Sequence, residues 1–315
     1  MTRTVIILII LTLLHSLPAA GQVDAIFSHY FMAMGYYNPA FAGSSDDMNV
    51  VVAHKQQWLG MPGAPKPLFA AVDRPFRAGS MAVGAGAALY QETIGLFNTS
   101  YFAGQLSVKQ KLFGGALSLG VQPGFMSVSF DGSKVDLGES PENESEDEAI
   151  PQAEVNGSTF DLNLGLYYKG KNFYLGLGAM HVMAPEFELD QNVTTFIPRS
   201  FNLSGGYNIL LNDTLFELQP SFFIRTDLQT FQGEITGRLV YNKMFSGGLS
   251  WRVNESLIVF LGASFASVEA GYAYDYPISA IRKVSSGSHE VVLRYRFKLD
   301  KTKTGNFRHK SVRIL

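Results

Sequence analysis

"FDLNLGLYY", residues 160 to 168, decides the fold. Its even positions (Phe160, Leu162, Leu164, Leu166, Tyr168) are apolar or aromatic, and its odd positions (Asp161, Asn163, Gly165, Tyr167) are mostly polar or small. A two-residue period sends the two sets to opposite faces of a β-strand. The alternation recurs from Phe201 to Ile209, where only Gly205 breaks it, and near the end, where Val291, Leu293, Tyr295 and Phe297 interleave with Val292, Arg294, Arg296 and Lys298. In 81–89, Met81, Val83, Ala85, Ala87 and Leu89 stand opposite Ala82, Gly84, Gly86 and Ala88.

A soluble sandwich also alternates, with its apolar face against a second sheet and its polar face in water. Composition favours lipid on the apolar side. Charged residues are 17% of the chain, below the roughly 25% of soluble domains. Glycine is high at 31 residues, and aromatics reach 13%. After residue 21 no apolar run approaches the roughly 20 residues of a spanning helix. These features predict an all-β transmembrane outer-membrane barrel. A net charge of −2 gives no reason to invoke nucleic acid.

The start of the chain agrees. Arg3, the apolar run Val5 to Leu14 and the small residues Ala19, Ala20 and Gly21 read as a Sec-type signal peptide over 1–21, with Pro18 too early for an anchor. No cysteine is present, hence no lipid-acceptor thiol, disulfide or thiolate metal site.

Alternating segments fall near 49–58, 66–74, 80–90, 99–111, 114–129, 158–169, 172–182, 199–210, 214–226, 231–243, 246–253, 257–266, 267–276 and 288–298. That is about 14 antiparallel strands, an even number as single-chain bacterial barrels require. If the first strand rises from the periplasm, short turns fall inside and the longer segments 59–65, 91–98, 130–157, 183–198 and 277–288 fall outside. The expected organisation is a signal peptide (1–21), an aromatic lead-in or plug (22–48), the barrel (49–298) and a basic periplasmic tail (299–315).

Chemistry-bearing patterns are sparse. The mature chain's histidines (His29, His54, His181, His289, His309) lack zinc-ligand spacing. Gly84-Ala85-Gly86 lacks the third glycine of a dinucleotide loop, and no Gly-x-Ser-x-Gly elbow occurs. No catalytic, cofactor or metal site is expected, and no enzymatic activity. Asp131, Asp136, Glu139, Glu142, Glu144, Glu146, Asp147, Glu148 and Glu154 meet only Lys134 in 131–157. That stretch reads as a solvated, self-repelling loop, with a calcium site or docking surface as the alternative. Arg225, Arg238, Arg294, Arg296, Glu217, Glu269 and Asp275 fall on inward positions, as an ion-pair network or a selective pore.

Four ordered blocks carry a resemblance. They are Phe27-Ser28-His29-Tyr30 with Tyr36-Tyr37-Asn38-Pro39-Ala40-Phe41-Ala42-Gly43; Lys55-Gln56-Gln57-Trp58-Leu59-Gly60 with Gly63-Ala64-Pro65 and Asp73-Arg74-Pro75; Gly271-Tyr272-Ala273-Tyr274-Asp275; and Ser286-Gly287-Ser288-His289-Glu290. Together they resemble the PorP/SprF family of outer-membrane proteins of the type IX secretion system. The resemblance implies a barrel serving secretion or surface attachment of particular cargo, and gliding in organisms that glide. Its implied partners are cargo with a C-terminal sorting domain, or periplasmic ring and translocon components. It implies no enzymatic activity and supplies no catalytic map.

Asn38-Pro39 fixes a turn, and Phe27, Tyr30, Phe31, Tyr36, Tyr37 and Phe41 need somewhere to bury. The lumen or its periplasmic mouth would make this segment a plug, whereas the first hairpin would make it an ordinary lead-in. At the other end, Lys298, Lys301, Lys303, Arg308, Lys310 and Arg313 face only Asp300. Such a tail is either a disordered end or a docking arm for an acidic partner. Candidate partner-contact residues are therefore Tyr36, Tyr37, Asn38, Pro39, Gln56, Gln57, Trp58, Tyr274, Asp275, His289, Glu290, Lys301, Lys303 and Arg308. An outer-membrane solute channel is the alternative function.

Overall fold

The computed structural model describes residues 24–135, 151–190, 193–211 and 215–299. The expected signal peptide, most of the acidic loop and the basic tail, with Lys301, Lys303 and Arg308, lie outside the described residues.

The strands are β1 (Met48–Gln56), β2 (Leu68–Ala78), β3 (Met81–Ile94), β4 (Phe97–Leu112), β5 (Gly115–Asp131), β6 (Glu154–Lys169), β7 (Phe173–Met180), β8 (Glu186–Asp190), β9 (Val193–Phe196), β10 (Ser200–Tyr207), β11 (Ile209–Leu210), β12 (Phe216–Thr226), β13 (Phe231–Tyr241), β14 (Phe245–Arg252), β15 (Ser256–Phe265), β16 (Val268–Pro277) and β17 (Ser288–Phe297). Setting aside β8, β9 and the short β11, fourteen strands form one antiparallel wall. It closes through β1 on β17, from Met48↔Phe297 to Gln56↔His289, and through β10 on β12. Closure joins the two ends of the sheet, the condition for a sheet surrounded by lipid.

Several details depart from the sequence expectation. The β5–β6 ladder runs on to Asp131↔Glu154, so both flanks of the acidic stretch are strand, because backbone pairing tolerates charged side chains. A hairpin, β8–β9, occupies the 183–198 connection, and its Phe187 and Leu189 are buried in the core. The expected strand 199–210 is interrupted: pairing with β12 stops at Gly206↔Ser221 and resumes at Ile209↔Leu218. Pro220 lies opposite the gap and has no N–H to give the ladder. The Asn208 N–H turns instead to Asn172 O at 2.7 Å.

One end of the barrel carries tight turns. Phe113-Gly114 and Asn242-Lys243 have positive φ at both central positions, the conformation of turns that match strand twist. The other end carries the long connections, except that the loop expected at 91–98 is a two-residue turn, Gly95-Leu96, because β3 and β4 stay paired out to Ile94↔Phe97. Between the ends, burial is inside out. Gln105 and Asn163 are 1% exposed, whereas Leu106 is 52% and Leu119 63% exposed. A soluble sandwich would bury the leucines. The outward apolar faces of this chain meet lipid.

Candidate functional site

Residues 24–43 are nearly all buried and bond inward-facing groups on strands around the wall. The segment begins at the long-loop end and descends to the short-turn end, where β1 starts. Contacts with inward-facing side chains at successive heights trace this path.

The upper part is held by charge. Asp24 pairs with the Arg225 guanidinium, and His181 stands between Asp24 (3.2 Å) and Asp161 (2.7 Å). Glu290 accepts the N–H groups of Ser28 (2.5 Å) and His29 (2.8 Å) and meets His29 Nδ1 at 2.9 Å. The Ser28 hydroxyl donates to Asp275 at 2.6 Å. Lys55 Nζ bonds Asp275 at 2.6 Å and the Ile26 carbonyl at 3.0 Å. Arg252 then links Asp275 to Glu234 and Glu255. Apart from the part-exposed Glu255, these ions are almost wholly buried, so each needs its partner.

The middle is aromatic. Tyr36 packs edge-on against Phe27, Phe69 and Tyr37 and lies tilted 5.0 Å from Tyr90. Tyr30 and Tyr37 both meet the Phe223 ring. The polar ends of two of these rings are satisfied: the Tyr37 hydroxyl accepts the Phe27 N–H at 2.8 Å, and the Tyr30 hydroxyl reaches Ser221 and Thr236.

The lower part explains the Asn-Pro turn. Met34–Tyr37 forms one helical turn and Pro39–Phe41 a 3-10 turn, with Asn38 between them. The Asn38 side chain accepts from Ala40 N at 3.0 Å and donates to the carbonyls of Leu166 (2.9 Å) and Leu177 (3.1 Å). One side chain thus caps the turn and ties it to β6 and β7. The strands receive it on glycine. A Cβ on Gly165 would strike the Asn38 amide, on Gly178 the Tyr37 carbonyl, on Gly120 the Ala40 backbone, and on Gly84 the Ala42 carbonyl. Gly43 N donates to Asp73 at 2.6 Å, and Lys109 holds the Gly43 carbonyl.

The residues singled out in the sequence separate accordingly. Tyr36, Tyr37, Asn38, Pro39, Asp275 and Glu290 are all buried within the barrel. Gln56 is exposed at the end of β1, and Gln57 is buried, with its N–H on Pro65 O at 3.0 Å. Trp58 has φ +48° and places its N–H on Ser288 Oγ at 3.0 Å, joining the β1–β2 and β16–β17 loops. Tyr274 and His289 face outward in ring contact, and His289 Nδ1 lies 2.6 Å from the Tyr272 hydroxyl. The inward charges Arg225, Arg238, Arg294, Arg296, Glu217, Glu269 and Asp275 line the lumen. All but Glu217, which accepts from Gln219, lie in ion pairs. Asp24, Asp161, His181, Glu234 and Arg252 belong to the site but carry no local sequence signal, since their partners lie on distant strands.

Solved barrels of similar outline include the CymD monoaromatic hydrocarbon channel (12% identity, 89% of this chain and 95% of that one, TM-score 0.49). A Pseudomonas aeruginosa FadL homologue has 11% identity over 84% of this chain and 94% of that one, TM-score 0.47. Omp33 of Acinetobacter baumannii has 10% identity over 81% of this chain and 100% of that one, TM-score 0.46. No curated protein matches the chain at a significant level. The family model for the type IX secretion system membrane protein PorP/SprF matches residues 19–295. That match spans the lumen segment and nearly the whole wall around it, and the chain therefore belongs to the PorP/SprF family of outer-membrane barrels.

Proposed function

We propose that this barrel supports secretion or cell-surface attachment of a small set of cargo proteins through protein contacts, with residues 24–43 plugging its lumen. The observation that carries the reading is the filled interior. A solute channel needs a continuous aqueous path, whereas buried ion pairs and packed rings crowd the inward face of this barrel. The long loops face the cell exterior and the tight turns the periplasm in this reading. Export by the residue 1–21 signal, cargo bearing a sorting domain and contact with periplasmic components come with it.

Deleting the gene should strip one or a few large proteins from the cell surface while general secretion continues. The purified barrel should conduct poorly in planar bilayers. A null strain with an unchanged surface proteome and impaired uptake of a small solute would establish the channel instead. Orientation has its own check. In this cysteine-free chain Ser145→Cys should react with an impermeant maleimide on intact cells, and Gly170→Cys only after the outer membrane is opened.

A further inference from the structure

Towards the short-turn end, side chains from β12 to β17 line a cavity of about 280 Å³. Arg238, Lys243, Arg294 and Arg296 line it, against the carboxylates Glu217 and Glu269. Glu269 alone answers three guanidiniums: Arg296 at 2.6 Å, Arg294 at 3.3 Å and Arg238 at 3.8 Å. Arg294 also donates to the Met32 carbonyl at 2.7 Å, and Arg238 lies over the Phe31 ring. Those two are therefore fixed in place by the lumen segment. Arg296 is nearly half exposed at the mouth. A second cavity of about 150 Å³ shares Arg294 and Arg296 and continues to Lys169.

We infer that this vestibule binds an acidic peptide segment of a periplasmic protein. Guanidiniums held in fixed positions match carboxylates in bidentate geometry, and the pocket holds more positive than negative charge. Ser246 and Ser264 also line it and add hydroxyl donors. The inference deepens the secretion reading by naming the chemistry of a partner. It rests on that reading for the partner's compartment, but its test is a binding measurement that needs no secretion.

The probe is a fluorescein-labelled ten-residue glutamate peptide, titrated by anisotropy onto the refolded full chain in neutral detergent. Saturable binding should weaken as salt rises, because exposed charges are screened over about 8 Å at physiological ionic strength. The double substitution Arg296→Gln with Lys243→Gln should weaken it about tenfold. Arg199→Gln, at the long-loop end, should leave it unchanged. Heat-modifiable gel mobility confirms that each variant is folded. Binding that survives the double substitution but is lost with Lys301→Gln, Lys303→Gln and Arg308→Gln together would move the site to the tail and overturn the proposal. Micelles doped with phosphatidylglycerol that displace the peptide at equal charge would overturn it in favour of a lipid headgroup. Absence of saturable binding would overturn it outright. Secretion that stays intact while the vestibule variant loses the peptide would separate this inference from the functional reading.

Discussion

The two ends of the lumen use charge differently. At the long-loop end Asp24, Asp161, Glu234, Asp275 and Glu290 meet Arg225, Arg252, Lys55, His29 and His181, all out of water. At the short-turn end the cations outnumber the acids and border an open cavity. Buried charges are costly unless paired, so each charge at the closed end needs a partner, whereas the open end can leave cations beside water. The closed end fixes the segment, and the open end is free to bind.

The upper network should therefore carry the larger share of the barrel's stability. Asp275→Ala should cost about 3–5 kcal/mol, because it leaves the buried Lys55 without its carboxylate. Glu269→Gln should cost clearly less, since water reaches its arginines. Urea unfolding of the refolded barrel measures both. Equal costs would mean that the two ends are equally closed.

The wall comes next. Leu261→Arg, 64% exposed on the lipid face, should cost about 2–4 kcal/mol near the bilayer midplane. Ser246→Gln, pointing into the vestibule, should stay within about 0.5 kcal/mol. An inward position alone does not make a substitution cheap. Asn163 faces inward, yet it is fully buried and its Oδ1 accepts the His181 N–H at 2.8 Å, so an arginine there meets a packed interior.

Glycine tells the lower lumen from the wall. Gly165→Ala drives a methyl into the Asn38 amide and should cost about 1–3 kcal/mol as overpacking. Gly104→Ala faces open space on the lipid side and should be close to neutral. If Gly165→Ala were also neutral, the segment would not sit against β6 as closely as its hydrogen bonds require.

The wall was legible in the sequence because a strand announces itself through a local period. Residues such as Phe160 to Tyr168 fix a face without reference to any other strand. The path of the N-terminal segment was not legible, because it depends on partners far along the chain: Asp24 meets Arg225, and Ser28 meets Glu290. The aromatic content of 27–41 showed that the stretch must bury, but not how far it climbs. A signal existed in the small residues of the lumen face. Gly84, Gly120, Gly165 and Gly178 read singly as barrel lining, and only together as a bed for backbone. The break at Tyr207 was foreshadowed by Pro220, but seeing it required the register of β10 against β12.

The smallest expected effect bears directly on the open end. Arg296 is 46% exposed, and its partner Glu269 keeps Arg294 and Arg238 when it is gone. Such exposed pairs contribute about 0–1 kcal/mol and are screened by salt. Arg296→Gln should therefore shift the urea midpoint very little, and less still at high ionic strength, while lowering affinity for an acidic peptide. That separation is what a binding residue gives and a structural one does not. A large loss of stability in Arg296→Gln would place the residue in the network that holds the segment, and the contrast between a sealed end and a free one would disappear.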